Sequence, residues 1–399
     1  MLSVDEALER VLELARPLPA VATALSEARG RVLAETIVSD IDSPPHDKSI
    51  VDGYAVIAAD TVKLPAELAV LEEITAGAVP TRTVERGMAT RIMTGAPVPT
   101  GADSIVMVEQ TDLVGDCVHI LKDAKAGQNI VRRGTSLAKG QTVLQPGKLL
   151  RPIELGLLAE VGRTMVSAIP RPRVAVLVTG NELVGPSVTP GPGQIRNSNS
   201  HLLSGLVQQA TGAFASDLGI ARDDPAELMR DINAGLSRDV LILSGGVSAG
   251  VLDLVPKVLT QLGVSEVFHK VSLKPGKPLW FGHKLRCEGH ETLVFGLPGN
   301  PVSSLVCFEL FVRPAIQKMR GLEPSGLKRI SGQLTCDHQQ RGERPTYWPA
   351  ALQGERVTPL SWKGSGDLRT LTDANCLAFF PAGERLFRGG EEVEALLLE

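Results

Sequence analysis

The sequence predicts a multidomain α/β protein: a mostly parallel α/β sandwich domain, an elongated discontinuous domain, a β-rich insertion and a C-terminal β-barrel. Three observations carry that expectation. At 399 residues the chain is longer than a single hydrophobic core usually serves. Across residues 174–320, apolar runs of strand length alternate with segments of helical spacing, the pattern of parallel strands joined by helices. Residues 43–129 and 331–399 instead hold short β-prone runs cut by Gly and Pro, and the second of these stretches suggests a small barrel.

Taken in order, residues 3–14 read as a helix, because Ser3 and Glu6 form a capping-box pair ahead of Val4, Leu8, Val11 and Leu12. A short helix over 22–28 and a strand over 32–38 follow, and Pro44-Pro45 closes this first part. Strands are expected at 54–57, 69–74, 88–93, 104–108 and 117–120, then a helix at 153–161 and a strand at 164–168. Residues 130–168 are expected to pack back on the first forty, which makes the β module an insertion. The expected boundaries are 1–42 with 130–168, 43–129, 169–322 and 323–399. Pro170 and Pro172 mark a hinge. Beyond it, strands are expected at 174–178, 213–218, 240–243, 267–271 and 293–295. Helices are expected at 200–210, 225–236, 254–262 and 302–320, the last with Pro314 inside it.

Composition narrows the function. The 41 basic and 45 acidic residues are dispersed without a charge run, which disfavours a nucleic-acid partner. Five scattered cysteines form no CxxC pair and seven histidines no HExxH, so neither a disulfide framework nor a zinc site is expected. The first residues are acidic and amphipathic, unlike a signal peptide, and no apolar run approaches ~18 residues. No membrane association and a cytoplasmic location are the expectation.

The chain is organised around residues 240–257. The run Val240-Leu241-Ile242-Leu243 reads as a strand buried on both faces, broken by Ser244-Gly245-Gly246 before a helix. Such a corner lets a ligand approach the backbone, and Asp253 either caps the helix or faces a metal. Glu182, in TGNEL at 179–183, falls at a carboxyl strand end, where ligands of α/β sheets bind. Either Asp223 or Asp224 can cap the helix that Pro225 begins. Lys274 and Lys277, in a rigid KPGKP loop, present fixed positive charge suited to phosphate or an oxyanion. In LPGNPVS at 297–303, a turn and a Pro at a helix start place Ser303 and free amides at a strand end. Asp52-Gly53 is a turn signal whose Asp can bond its own backbone, and Asp47 with Asp52 is a candidate ion site.

These motifs, in this order, resemble the molybdopterin molybdenumtransferase family, which includes bacterial MoeA and the E domain of gephyrin. MTGAPVP at 93–99, GADSIVMVE at 101–109 and GQNIVRRG at 127–134 extend the likeness over essentially the whole chain. The resemblance implies an α/β domain of molybdopterin-binding type. It implies that adenylylated molybdopterin and molybdate react with the help of Mg²⁺, releasing AMP and the molybdenum cofactor. It also implies a homodimer with a shared active site, with the molybdopterin adenylyltransferase as a further candidate partner.

Residue by residue, the likeness assigns Asp52, Thr94 and Glu182 to catalysis and Glu182, Asp223 and Asp253 to the metal. It assigns substrate binding to Gly245, Gly246, Ser248, Lys274, Lys277, Pro278, Pro298, Asn300, Pro301, Ser303, Arg344 and Ser365. Of these, Lys277, Ser303, Arg344 and Ser365 match positions used near the oxyanion. Two departures stand out: Asn181 replaces a frequent Asp, and Thr135-Ser136 replace an acidic pair, so Asn181 and Ser136 are poor ion ligands. Ile50-Val51 replace the usual Ala-Met and change only apolar bulk. The rivals are a non-enzymatic gephyrin-like scaffold and a molybdopterin adenylyltransferase. Retention of Lys274, Lys277, Glu182 and Asp253 argues against the first; the SGGVSAG loop in place of TGGTG, with further domains around it, argues against the second.

Overall fold

The computed structural model describes residues 1–247, 254–286 and 289–398. Two compact units emerge: Met1–Ala34 with Leu149–Arg151 and Ser167–Glu399, and Glu35–Lys148 with Pro152–Val166.

The first unit opens with the helix Val4–Leu14, whose Ser3 Oγ accepts from the Glu6 amide while Glu6 accepts from the Ser3 amide at 2.8 Å. Val4, Ala7 and Val11 are buried. Residues 22–28 are not a helix. They form the strand Val21–Ala24 and a 3₁₀ turn, Leu25–Glu27, whose N-cap Ala24 offers no side-chain hydrogen bond. Pairing with a distant strand outweighs a weak local helix preference: Val21–Ala24 joins Met165–Ile169 and Val32–Leu33 in one small sheet. The expected strand 32–38 is two short ones, Val32–Leu33 and Ile37–Val38.

The central sheet runs Ser216–Ala221, Val174–Thr179, Val240–Ser244, Glu291–Leu297, Trp280–Leu285, Ser265–His269. The first four strands are parallel, and the last two form an antiparallel extension. Alternate residues feed two cores: Val174, Val176, Val240 and Ile242 face one, while Ala175, Leu177, Leu241 and Leu243 face the other. Helix Asn199–Thr211 packs into the first core, and helices Pro225–Gly235 and Val255–Gln261 pack into the second. This double burial is why the strands read as continuous apolar runs.

Three local signals hid their outcomes. Trp280–Leu285 has no sequence pattern of a strand because Gly282 interrupts it; a Cβ there would lie 2.5 Å from the Ser265 carbonyl oxygen. The strand expected at 213–218 falls at Ser216–Ala221, with a bulge around Gly219. The helix expected at 302–320 is three pieces, Pro301–Cys307, a π segment Phe308–Val312 and Arg313–Met319, because Pro314 has no amide to continue the ladder. The tail closes into a five-stranded barrel, Arg329–Leu334, Arg356–Pro359, Thr346–Gln353, Cys376–Phe380 and Glu392–Leu397, around Val357, Ala378 and Phe380.

In the second unit a six-stranded sheet runs Ser104–Met107, Gly53–Val56, Met88–Ile92, Ala66–Ile74, Cys117–Ile120, Thr111–Val114. Gly53 is fixed by sterics, since a Cβ would stand 1.9 Å from the Val106 carbonyl oxygen. Ile37–Val38 pairs with Thr142–Leu144, and Lys48–Ser49 with Ile130–Val131. The helix Pro152–Glu160 completes this unit.

Candidate functional site

Two adjoining clefts open in the first unit beside the carboxyl ends of Val174–Thr179, Val240–Ser244 and Glu291–Leu297. They share Pro278, Pro298 and Asn300. One, of about 720 Å³, is lined by Glu182, Asp223, Gly245, Gly246 and Pro301 among others. The other, of about 550 Å³, is lined by Lys274, Lys277, Ser303, Arg344, Lys363 and Ser365, with Trp348 and Trp362.

The first cleft is built by stitching loops together. The Gly180 amide donates to the Ala221 carbonyl at 3.1 Å, and Arg222 Nη1 donates to the carbonyls of Asn181 and Leu183, each at 3.0 Å. The Asp223 amide donates to Asn181 Oδ1 at 3.1 Å, so the residue that departs from the family pattern has its oxygen engaged in holding the Asp223 loop. The choice between Asp223 and Asp224 is resolved. Asp224 caps Pro225–Gly235, accepting from the Ala226 and Glu227 amides at 3.0 and 2.9 Å, which leaves Asp223 lining the cleft. The Glu182 carboxylate folds over Gly180, where a Cβ would stand 2.6 Å from Glu182 Oε2.

Gly245, at φ +94°, brings its backbone so close to Thr179 that a Cβ would lie 2.4 Å from the Thr179 carbonyl oxygen. Asn199 closes the arrangement. Its Nδ2 donates to Ser244 Oγ at 2.8 Å and to the Gly299 carbonyl at 2.7 Å, joining two lining loops. Sequence reasoning missed Asn199, Arg222, Thr179, Trp348, Trp362 and Lys363; an Asn just before a helix reads as nothing more than a cap. Two expected residues, Ser248 and Asp253, lie outside the described residues.

The second cleft is cationic. Gly276, at φ +121°, packs where a Cβ would be 2.6 Å from Cys307 Sγ, which sets the loop carrying Lys274 and Lys277. Lys274 is tied to the barrel through its amide to Pro345 (2.9 Å) and its carbonyl, which accepts from Tyr347 (2.8 Å). Arg344 Nη1 donates to the Leu273 carbonyl at 2.9 Å. Ser303 sits in the first turn of Pro301–Cys307, behind the N-cap Asn300, and is buried. The Val302 amide donates to the Ser365 carbonyl at 3.1 Å, fixing the loop of Ser365 against that turn. No carboxylate lines this cleft among the described residues, against four cations: Lys274, Lys277, Arg344 and Lys363. Burial and the charge of Lys274 push the His338 pKa down, which favours the neutral imidazole.

In the second unit, Asp52 and Thr94 meet although they are 42 residues apart: Asp52 Oδ1 accepts from the Thr94 amide and hydroxyl, both at 2.7 Å. Those two hydrogen bonds lower the Asp52 pKa, so the group is a carboxylate at neutral pH. Asp47 does not join it in an ion site. It accepts from the Arg133 amide at 2.8 Å and pairs with Arg132 at 2.5 Å, a structural role. Among the described residues no group of three or more His, Cys, Asp or Glu is placed to hold a metal by itself. Glu182 and Asp223 in one cleft nonetheless form a donor set that suits Mg²⁺, which takes one or two carboxylates together with substrate phosphates.

Family models match three segments: the MoeA N-terminal region (domains I and II) at 2–162, a probable molybdopterin binding domain at 175–318, and the MoeA C-terminal region (domain IV) at 331–398. Molybdopterin molybdenumtransferase 2 of Mycobacterium tuberculosis (strain ATCC 25618 / H37Rv) is 39% identical over 396 residues, covering 96% of each chain. Molybdopterin molybdenumtransferase of Staphylococcus aureus (strain MRSA252) is 32% identical over 99% of this chain and 95% of its own length. A crystal structure of the molybdopterin biosynthesis MoeA protein from Pyrococcus horikoshii OT3 superposes with a TM-score of 0.79 at 31% identity, covering 100% of both chains. With identity at this level sustained along its length, the chain belongs to the molybdopterin molybdenumtransferase family.

Proposed function

We propose that this protein carries out the last step of molybdenum cofactor synthesis, inserting molybdate into adenylylated molybdopterin and releasing AMP. The observation that carries this reading is the pair of adjoining clefts of different character: one holds four cations and no described carboxylate, the other Glu182 and Asp223, with Arg196, beside glycine-loop amides. In the cationic cleft, Lys274, Lys277, Arg344 and Lys363 neutralise the oxyanion, and the Ser303 and Ser365 hydroxyls donate to its oxygens. In the other, the amides around Gly245 and Gly246 take up phosphate oxygens. Glu182 and Asp223, with Asp253, would hold Mg²⁺, which neutralises charge on the phosphate oxygens and orients the groups around the anhydride. Water attacks one phosphorus, a new P–O bond forms, the anhydride P–O bond breaks, and AMP leaves.

We further propose that Asp52 and Thr94 serve this site from the partner subunit of a homodimer. The ionised state of Asp52 and its support by Thr94 favour a role in orienting the attacking water through a hydrogen bond, since a lowered pKa makes the carboxylate a weaker base. We also propose the four-part division, with 1–42 and 130–168 as one discontinuous part; the family segments name domains I and II within 2–162 and domain IV at 331–398 and draw no boundary inside 2–162. A cytoplasmic location and contact with the molybdopterin adenylyltransferase complete the proposal. No helix among the described residues is long and apolar enough to cross a membrane.

Two experiments separate the readings. Release of AMP from adenylylated molybdopterin supports molybdenum transfer, whereas consumption of ATP with free molybdopterin would indicate the adenylyltransferase reaction. For the shared site, Asp52→Asn chains mixed with Asp253→Asn chains should recover up to about 25% of wild-type activity, since half the dimers are mixed and each has one intact site of two. No recovery after verified subunit exchange would place the site within one chain.

A further inference from the structure

The cationic cleft is too large for an oxyanion alone. A tetrahedral anion with four oxygens takes on the order of 100 Å³, at about 30 Å³ for each water-sized centre, against a cleft of about 550 Å³. What fills the remainder is indicated by two aromatic side chains in its wall. Trp348 and Trp362 stand edge to face, with centroids 4.9 Å apart and planes at 89°. Trp348 is immobilised: its Nε1 donates to the Leu360 carbonyl at 2.8 Å and its ring meets His338 at 4.7 Å, which in turn stacks on Phe380 at 3.9 Å. Trp362 differs. Its ring is braced by Trp348, but its Nε1, shielded from solvent, has no hydrogen-bond partner among the described residues. A donor with no accessible surface does not reach a ligand in the cleft, so what Trp362 offers there is its half-buried ring, which forms part of the cleft wall. Trp362 also begins the run Trp362-Lys363-Gly364-Ser365, all of which lines the cleft, anchored by the Ser365 carbonyl to the Val302 amide. Aromatic face, cation and hydroxyl therefore follow one another along one fixed wall.

We propose that Trp362 is a substrate-recognition residue: the flat conjugated heterocycle of an anionic substrate stacks on it while the lysines and Arg344 hold the charged end. The inference rests on the molybdenum-transfer reading only in identifying that heterocycle as a pterin. Stacking on an aromatic ring tolerates variation at the ring edge but requires a flat conjugated surface.

The test is calorimetry on the full chain with two separate probes, pterin-6-carboxylate and molybdate, for wild type, Trp362→Leu and Trp362→Phe. Trp362→Leu should weaken pterin-6-carboxylate about ten-fold or more, a loss typical of a stacked aromatic partner. Trp362→Phe should stay within a few-fold of wild type, and molybdate affinity should move less than two-fold in either variant. Unchanged pterin affinity in Trp362→Leu, a parallel loss of molybdate affinity, or absence of pterin binding by the wild type would each overturn the proposal. AMP release by the wild type, assayed alongside, separates the two levels. If AMP is released but pterin affinity ignores Trp362, this inference alone fails; if none is released, the wider reading fails.

Discussion

Replacing Asn199 with Ala removes the side chain that joins the Ser244 and Gly299 loops. One buried and one part-buried hydrogen bond contribute about 1 kcal/mol each, and leaving the Gly299 carbonyl without its donor costs roughly 1–3 kcal/mol more. Against this, Asn199 Oδ1 is itself buried without a partner among the described residues, so its deletion returns part of the loss. Ser244 Oγ, which is buried, loses the donor it accepts from. The net destabilisation should be about 2–3 kcal/mol, which corresponds to roughly 4–12 °C for a unit of this size. Calorimetry should show the shift in the transition that includes the α/β sheet, because a multidomain chain has no single unfolding midpoint. Asn199→Asp is the sharper control. It keeps the size but loses both donors and sets a carboxylate against a carbonyl, so it should be at least as harmful. A shift below 1 °C for Ala, or wild-type stability for Asp, would refute the reasoning that these donors hold the cleft together.

Lys274→Ala and Lys277→Ala should each weaken molybdate or the anionic pterin about ten- to hundred-fold, the equivalent of ~1.5–3 kcal/mol for a charge-assisted hydrogen bond; unchanged calorimetric affinity for both ligands would return the loop to a structural role. Glu182→Gln and Asp52→Asn should abolish AMP release while circular dichroism and the melting profile stay those of the wild type, and near-normal release by either variant would remove that residue from catalysis. Asp239 supplies a pH dependence. Burial opposes its charge, but hydrogen bonds from the Arg173 side chain and backbone and from Arg286 outweigh it and lower its pKa below 3.8. Its stabilisation is therefore fully present above that value and lost as pH falls through the lower folded-state pKa. The stability gap between wild type and Asp239→Asn should be constant from pH 7 to 5 and shrink below pH 4; a gap unchanged down to pH 3 would show that the charge is not what stabilises.

Much of this architecture is written locally. The Ser3–Glu6 capping box, the apolar run 240–243 and the Pro/Gly spacing of KPGKP and LPGNPVS each act within a few residues, so their elements and the lysine cleft are legible from the chain. What the chain hides depends on distance. Val21–Ala24 becomes a strand only because Met165–Ile169 lies beside it. Asn199 works through partners 45 and 100 residues away. Trp362 matters because it meets Trp348 at the cleft, a geometry no spacing rule conveys. Asp223 was separable from Asp224 only once the helix start was seen to take its cap from the second of the pair. Asn181, by composition merely a lost charge, holds the Asp223 amide in place of a ligand role.

The central claim is that the two clefts act on one substrate, the cationic one receiving molybdate while the other cleaves the adenylyl anhydride. The direct measurement is the stoichiometry of a single incubation of protein, adenylylated molybdopterin, Mg²⁺ and molybdate, with AMP quantified by chromatography and pterin-bound molybdenum by mass spectrometry. We expect one molybdenum bound for each AMP released, with both reduced in parallel in Lys277→Ala at limiting ligand and both lost in Glu182→Gln. AMP released with no molybdenum in the pterin, or molybdenum inserted with the anhydride intact, would contradict the account.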